Sequence, residues 1–141
     1  MNIEKVANII NLLNKESADS IIDYLKQRDL PLAKEVLAQL FRFEDMSKLP
    51  DRDLTILLQE VPKPLLPIAL KGVDKNFIAK FIKNLSKRAG AVLEEELAMS
   101  PPRPRSEVEE AQRAITAVAR MLLDKEKIFA PWLHKDNEII Y

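Results

Sequence analysis

The chain has no cysteine and two glycines among its 141 residues. The missing cysteines remove disulfides, thiolate metal sites and a thiol nucleophile, and they suit a reducing compartment. With glycines only at Gly72 and Gly90, no Gly-rich loop is available to cradle a phosphate. One histidine, His134, stands in the C-terminal tail. No His, Asp and Glu cluster has metal-ligand spacing. There is also no excess charge of either sign: 22 Lys+Arg balance 22 Asp+Glu. Bulk binding to nucleic acid or to an anionic membrane surface needs a basic excess and is not expected. The opening stretch, MNIEKVANIINLLNK, carries too many polar residues for a signal peptide or a membrane span.

What is present is helical patterning. Hydrophobic residues make up 47% of the chain, and β-branched alternation is scarce. Apolar residues recur at helical spacing in nearly every segment. Ile3, Val6, Ile10 and Leu13 make a first stripe. Ser17 is expected to cap a second helix whose Ile21, Ile22 and Leu25 face inward. Asp29 followed by Pro31 reads as an N-cap with a proline in the first turn, and Leu32, Val36, Leu37, Leu40 and Phe41 form the apolar face. A boundary follows at LFRFEDMSKLPDRD. DRDLTILLQEV is a short helix ending at PKP. LLPIALKG is a compact helix closed by Gly72, and Pro67 fits it only within the first turn.

DKNFIAKFIKNL starts at Asp74 as cap and buries Phe77, Ile78, Phe81, Ile82 and Leu85. Ser86 caps a charged helix near 87–99. Pro101, Pro102 and Pro104 make an extended linker. Ser106 and Glu109 have capping-box spacing for a last helix with a stripe of Val108, Ala111, Ile115, Val118 and Leu122. The tail IFAPWLHKDNEIIY is expected to dock back on the body. The fold class is all-α, an α-solenoid or an irregular helical bundle.

The charged helix, KRAGAVLEEELAM, is built against its own dipole. Lys87 and Arg88 lie at its N-terminal end and Glu94, Glu95 and Glu96 toward its C-terminal end. An exposed charge at the wrong end costs about 0.3–1 kcal/mol. The i±4 neighbours of Arg88 are Asn84 and Val92, and those of Glu95 are Ala91 and Met99, so the usual helical ion pairs are missing. Arg88 and Glu95 fall seven residues apart, about 10.5 Å along the axis. At that distance in water they attract by only ~0.4 kcal/mol. They are two separate points that a partner can read. Charges of this kind set orientation and association rate more than affinity. Glu94–Glu96 as paired catalytic carboxylates lack a partner acid, a histidine and a pocket, so an enzyme is not expected.

Four runs resemble, in order, the C-terminal portion of the bacterial flagellar motor switch family FliG. They are FRFEDMSKLPDRDLTILLQEV, IALKG, KNLSKRAGAVLEEEL and SEVEEAQRAI. Residues 4–41 resemble the small armadillo-like module that precedes them in the family. The resemblance implies an armadillo-like right-handed superhelix of short helices in two units joined by a hinge. Residues 1–41 would be the small module and 42–141 the torque domain. It implies no enzymatic activity and no cofactor or metal. It implies a rotor and switch role in which the charged helix meets the membrane-embedded stator.

The stator-facing positions carry over as Lys71, Arg88, Glu95 and Glu96, with glutamates where aspartates are frequent. Pro104 stands where the family has a further arginine, and either Arg103 or Arg105 takes its place. The hinge carries over as Leu40, Phe41 and Phe43. The implied partners are the cytoplasmic loop of the stator protein MotA, neighbouring FliG subunits through the armadillo-like module, and the switch protein FliM. Nucleic acid and direct membrane insertion are not among them. The implied location is the cytoplasmic face of the inner membrane at the flagellar basal body. The family's N-terminal domain and its Glu-His-Pro-Gln-Arg module do not occur, so a fragment or a short paralogue is expected. Gly90 replaces an alanine and is expected to weaken its helix by ~1 kcal/mol. A helical scaffold or adaptor that keeps the fold without the torque role is the alternative.

Overall fold

The computed structural model describes residues 2–129. Among them there are helices and no strand: α1 (Ile3–Leu12), α2 (Lys15–Arg28), α3 (Leu30–Gln39), a 3₁₀ turn over Phe43–Lys48, α4 (Asp51–Glu60), α5 (Leu65–Ala69), α6 (Lys75–Lys83), α7 (Lys87–Met99) and α8 (Arg105–Asp124). The all-α class follows from the 3.6-residue apolar spacing. The described residues divide into two compact units, one ending at Arg42 and one running Phe43–Phe129.

The first unit is a three-helix cluster. Each helix opens on a side-chain oxygen that accepts from a first-turn amide, which would otherwise lack a partner. Asn2 Oδ1 accepts from Lys5 N at 3.1 Å, Asn14 Oδ1 from Ser17 N at 2.8 Å and Asp29 Oδ1 from Leu32 N at 3.2 Å. Ser17 is therefore not the cap of α2. It sits one turn inside, and Asn14 ends the preceding loop instead. Ala7, Ile10, Ala18, Ile22, Val36 and Leu40 form the core, with Ile3, Val6, Leu13, Leu25 and Leu32 packed partly against it. The alanines let the helices approach closely. Ile21 does not belong to this core. It is exposed, and its neighbour Ile22 takes the inward place. The side chain of Leu37 lies outside the described residues.

The second unit is organised by α8, which packs on α5, α4 and the 3₁₀ turn, while α7 packs on α5 and α6. Asp74 precedes α6 but its side chain makes no cap bond, and three phenylalanines knit the helix to the turn. Phe43 and Phe77 have ring centroids 5.2 Å apart, and Phe77 stacks on the fully buried Phe81 at 5.0 Å. Of the other apolar positions expected inside α6 and just after it, Ile78, Ile82 and Leu85 are half-buried. Lys80 Nζ donates to the carbonyls of Ser47 and Leu49, closing the turn's end. Asp51 joins α4 to α6 by accepting from Asn84 Nδ2 at 3.1 Å and Lys83 Nζ at 3.0 Å. Those two bonds, Asn84 first, hold its carboxyl below the ordinary value.

Pro67 is the third residue of α5, where its missing N–H leaves no helical bond unmade. Gly72 follows with φ +75°, a left-handed conformation that glycine adopts without strain. α8 starts two residues earlier than the capping-box spacing predicts. Pro104 precedes it, and no side-chain cap bond forms, so Ser106 and Glu109 do not make a box. Ala111, Ile115, Ala119 and Leu122 are its buried stripe, with Val108 and Val118 half-buried beside them.

Past α8, Ile128 is buried and the Phe129 amide donates to Asp53 Oδ2 at 2.9 Å. The expected docking of the remaining tail, and His134, lie outside the described residues.

Candidate functional site

α7 carries the charges the sequence singles out. Ser86 Oγ accepts from Ala89 N at 3.1 Å and starts the helix at Lys87. Gly90 and Leu93 are its buried face. Turning outward from them, Lys87, Arg88, Glu94, Glu95 and Glu96 are all exposed. Among the described residues none of these five takes part in an ion pair or a side-chain hydrogen bond. The charges are solvated and available, as the missing i±4 partners imply.

The dipole conflict is eased from outside the helix. Lys71, just beyond α5, places Nζ 3.2 Å from the Ser100 carbonyl and 3.1 Å from Ser100 Oγ. Ser100 is the C-terminal cap residue of α7. An ammonium at a helix C-terminus is stabilising, by about 0.3–1 kcal/mol in exposed settings. Lys71 thus supplies the base that the last turn of α7 lacks. It is a bound, half-buried side chain and not a free point charge.

Arg103 is also engaged. Its NH1 lies 3.3 Å from Glu107 Oε2, an i,i+4 pair that spans the start of α8. Arg105 is exposed at the first position of α8. The six positions that the resemblance assigns to the stator therefore separate into two groups. Arg88, Glu95, Glu96 and Arg105 are exposed and unpaired among the described residues, whereas Lys71 and the exposed Arg103 each make a side-chain bond. At the implied hinge, Leu40 and Phe41 are buried after the end of α3, and Phe43 opens the 3₁₀ turn.

Gly90 has a packing role that its helix propensity conceals. A β-carbon there would lie 3.1 Å from Ile82 Cγ2 and 3.4 Å from the Ile82 carbonyl. The missing side chain lets α7 lie close on α6.

Two residues of structural weight escape the sequence reading. Asp53 is a buried acid, 3% exposed, inside a run that reads as an ordinary amphipathic helix. Gln112 donates from Nε2 to the Ala69 carbonyl at 2.9 Å, tying SEVEEAQRAI to IALKG. Their signal lay in the motifs themselves, whose polar residues are placed for scaffold bonds. Among the described residues no group of three or more His, Cys, Asp or Glu could hold a metal ion. No described helix is long and apolar enough to cross a membrane.

Comparison with known proteins bears on the whole of this arrangement. The family model described as the FliG C-terminal domain matches residues 23–129. The flagellar motor switch protein FliG of Thermotoga maritima is 39% identical over 126 residues, 89% of this chain and 38% of that protein. The protein of the same description from Aquifex aeolicus is 37% identical over 122 residues, 86% of this chain and 37% of that protein. The chain thus spans little more than a third of the length of these curated relatives. Among solved structures, a crystal structure of part of FliG from H. pylori superposes with a TM-score of 0.69 at 30% identity, covering 91% of this chain and 60% of that one. Full-length FliG from Aquifex aeolicus gives a TM-score of 0.59 at 35% identity, covering 87% of this chain and 38% of that one.

Proposed function

The chain belongs to the FliG family through its C-terminal domain, and we propose that it is a non-enzymatic rotor component of the flagellar motor whose α7 receives torque from the stator. The observation that carries this reading is the outer face of α7, where Arg88, Glu95 and Glu96 are exposed and unpaired among the described residues. A solvated helix gains by pairing its charges at i,i+4. A helix that leaves both signs open, in dipole-adverse order, has them free for a partner of complementary pattern. The partner is the cytoplasmic loop of the stator protein MotA. Its acids meet Arg88 and its bases meet Glu95 and Glu96.

Arg105, exposed and unpaired at the start of α8, takes the family's further position in preference to Arg103, whose guanidinium lies beside Glu107. Lys71 acts at one remove, holding the end of α7 through Ser100. Leu40, Phe41 and Phe43 form the hinge. Buried rings at that point resist reorientation more than a polar linker would. The first unit joins neighbouring FliG subunits, and Ile9, Leu12, Ile21, Tyr24 and Leu30, all exposed on it, supply the apolar contact. FliM is a further partner. The work is done at the cytoplasmic face of the inner membrane, in the basal body.

The test is swimming speed in a flagellated host whose FliG C-terminal domain is replaced by that of this chain, with circular dichroism of the purified variants. Exposed pairs contribute on the order of 0–1 kcal/mol each. Arg88→Ala should slow swimming without abolishing it. Arg88→Glu should be worse, since juxtaposed like charges cost several kcal/mol across an interface. A charge-swapped stator should partly restore it. Full motility after reversing Arg88, Glu95 and Glu96 together rules the torque reading out.

A further inference from the structure

The charged face of α7 is not purely charged. Arg88, Val92, Glu95 and Met99 follow one another at spacings of four, three and four. That is the spacing of a seam along which one helix packs on another. Val92 is 46% exposed and Met99 76% exposed, in a unit that otherwise buries most of its large apolar side chains. Beside this stripe runs an open groove between α5 and α7, about 560 Å³ in volume. Its floor is apolar, with Leu66, Pro67, Leu85 and Val92. Arg88 stands at one end and Glu96 at the other. A second hollow of about 400 Å³ continues past Glu95 and Met99 to Arg103, sharing Pro67 and Glu96 with the first. Along α7 the trough reads base, apolar, acid, apolar, and Arg103, beyond the helix and paired with Glu107, lies at its far end.

We infer that this trough seats an amphipathic helix of the torque partner, which carries an acid and a base seven residues apart with large apolar side chains on the same face. The inference rests on the torque reading above and adds to it the class of partner surface. Charge complementarity selects the occupant. An acid opposite Arg88 and a base opposite Glu95 require about 10.5 Å between them, the rise of seven helical residues. A helix with those two charges places its residue four positions after the first opposite Val92. There the groove accepts an apolar side chain and would leave a polar one without a partner. The charges fix register, and the apolar contacts slow release once the register is found. A purely charged surface would give fast encounter with little residence. A trough with an apolar floor gives each stator contact a grip.

The test uses the purified full chain and three Ala-based, end-blocked helical peptides of fifteen residues, read by fluorescence anisotropy. The first carries Glu, Leu, Lys and Leu at relative positions 1, 5, 8 and 12. The second has both leucines changed to serine. The third keeps the leucines and has Glu and Lys changed to glutamine. The first peptide is expected to bind at least tenfold more tightly than either of the others. Val92→Gln and Met99→Gln together should remove that advantage over the serine peptide, with helicity unchanged.

Equal binding of the leucine and serine peptides overturns the apolar seat and leaves the charged-helix reading standing. Equal binding of the glutamine peptide overturns the paired recognition and counts against the charged reading too. No binding by the first peptide overturns the inference, while the swimming assay decides the torque reading by itself. If the double variant unfolds, the peptide comparison on the unaltered chain still decides.

Discussion

The unit ending at Arg42 and the unit from Phe43 to Phe129 treat apolar surface differently. The shorter one assembles a core from Ala7, Ile10, Ala18, Ile22, Val36 and Leu40, a cluster without an aromatic ring among the described residues, and buries Phe41 at its end. It leaves Ile9, Leu12, Ile21, Tyr24 and Leu30 exposed. The longer one stacks Phe43, Phe77 and Phe81, buries Leu54, Leu57, Leu58, Leu66 and Leu70, and ties its helices with side-chain bonds across long sequence separations. Surface-to-volume scaling accounts for part of this, since the smaller of two units encloses a smaller share of its apolar surface. The rest is a division of labour. A self-sufficient core can afford a helix such as α7, whose charges do nothing for its own stability, because neighbouring helices hold it.

The largest test of that difference sets Phe81→Ala against Ile22→Ala. Both side chains are buried. Phe81→Ala should cost ~3–5 kcal/mol, while Ile22→Ala should fall near the lower end of its ~2–5 kcal/mol range, because the smaller cluster can collapse around the gap. Urea denaturation followed by amide exchange in each unit measures both. Equal losses would mean that the two cores are equally close-packed and would break the comparison.

Next in size is Asp53→Ala. It removes the carboxylate to which the Phe129 amide donates, and a hydrogen bond to a charged group contributes about 1.5–3 kcal/mol. Faster exchange should be confined to amides near Phe129, and general melting of the longer unit would show a wider role. Asn14→Ala should cost ~1 kcal/mol of the shorter unit's stability, as for a lost helix cap. Ser106→Ala should cost nothing measurable, since Ser106 caps nothing. The reverse order in thermal melts would reassign both helix starts.

The smallest expected effect is Gly90→Ala. Helix propensity favours alanine by about 1 kcal/mol. The new β-carbon, however, meets a methyl of Ile82, whose β-branched side chain has one strongly preferred rotamer in a helix and cannot swing clear. The two terms should cancel. A melting temperature raised by several degrees would show that Ile82 gives way, and that the close approach of α7 to α6 is not needed.

The local features were legible in the order of the residues. Helical class, the cap at Ser86, the cap at Asp29 and the span of α7 each depend on residues three or four positions apart. The absence of ion pairs within α7 was equally legible, because those pairs too would be i±4. Where the sequence misled, the choice lay between neighbours with equal local claims. Ile21 and Ile22 differ only in which side of α2 meets α1 and α3, and Ser17 and Asn14 are both good caps until the loop before α2 is fixed. Tertiary structure alone decided how the adverse dipole is eased, because Lys71 and Ser100 are 29 residues apart in the chain. It alone set Asp53 against Phe129, set Gly90 against Ile82, and opened the apolar trough beside Arg88 and Glu96. Local spacing fixes which face of a helix is apolar, but what that face or its charges meet depends on chain brought in from elsewhere.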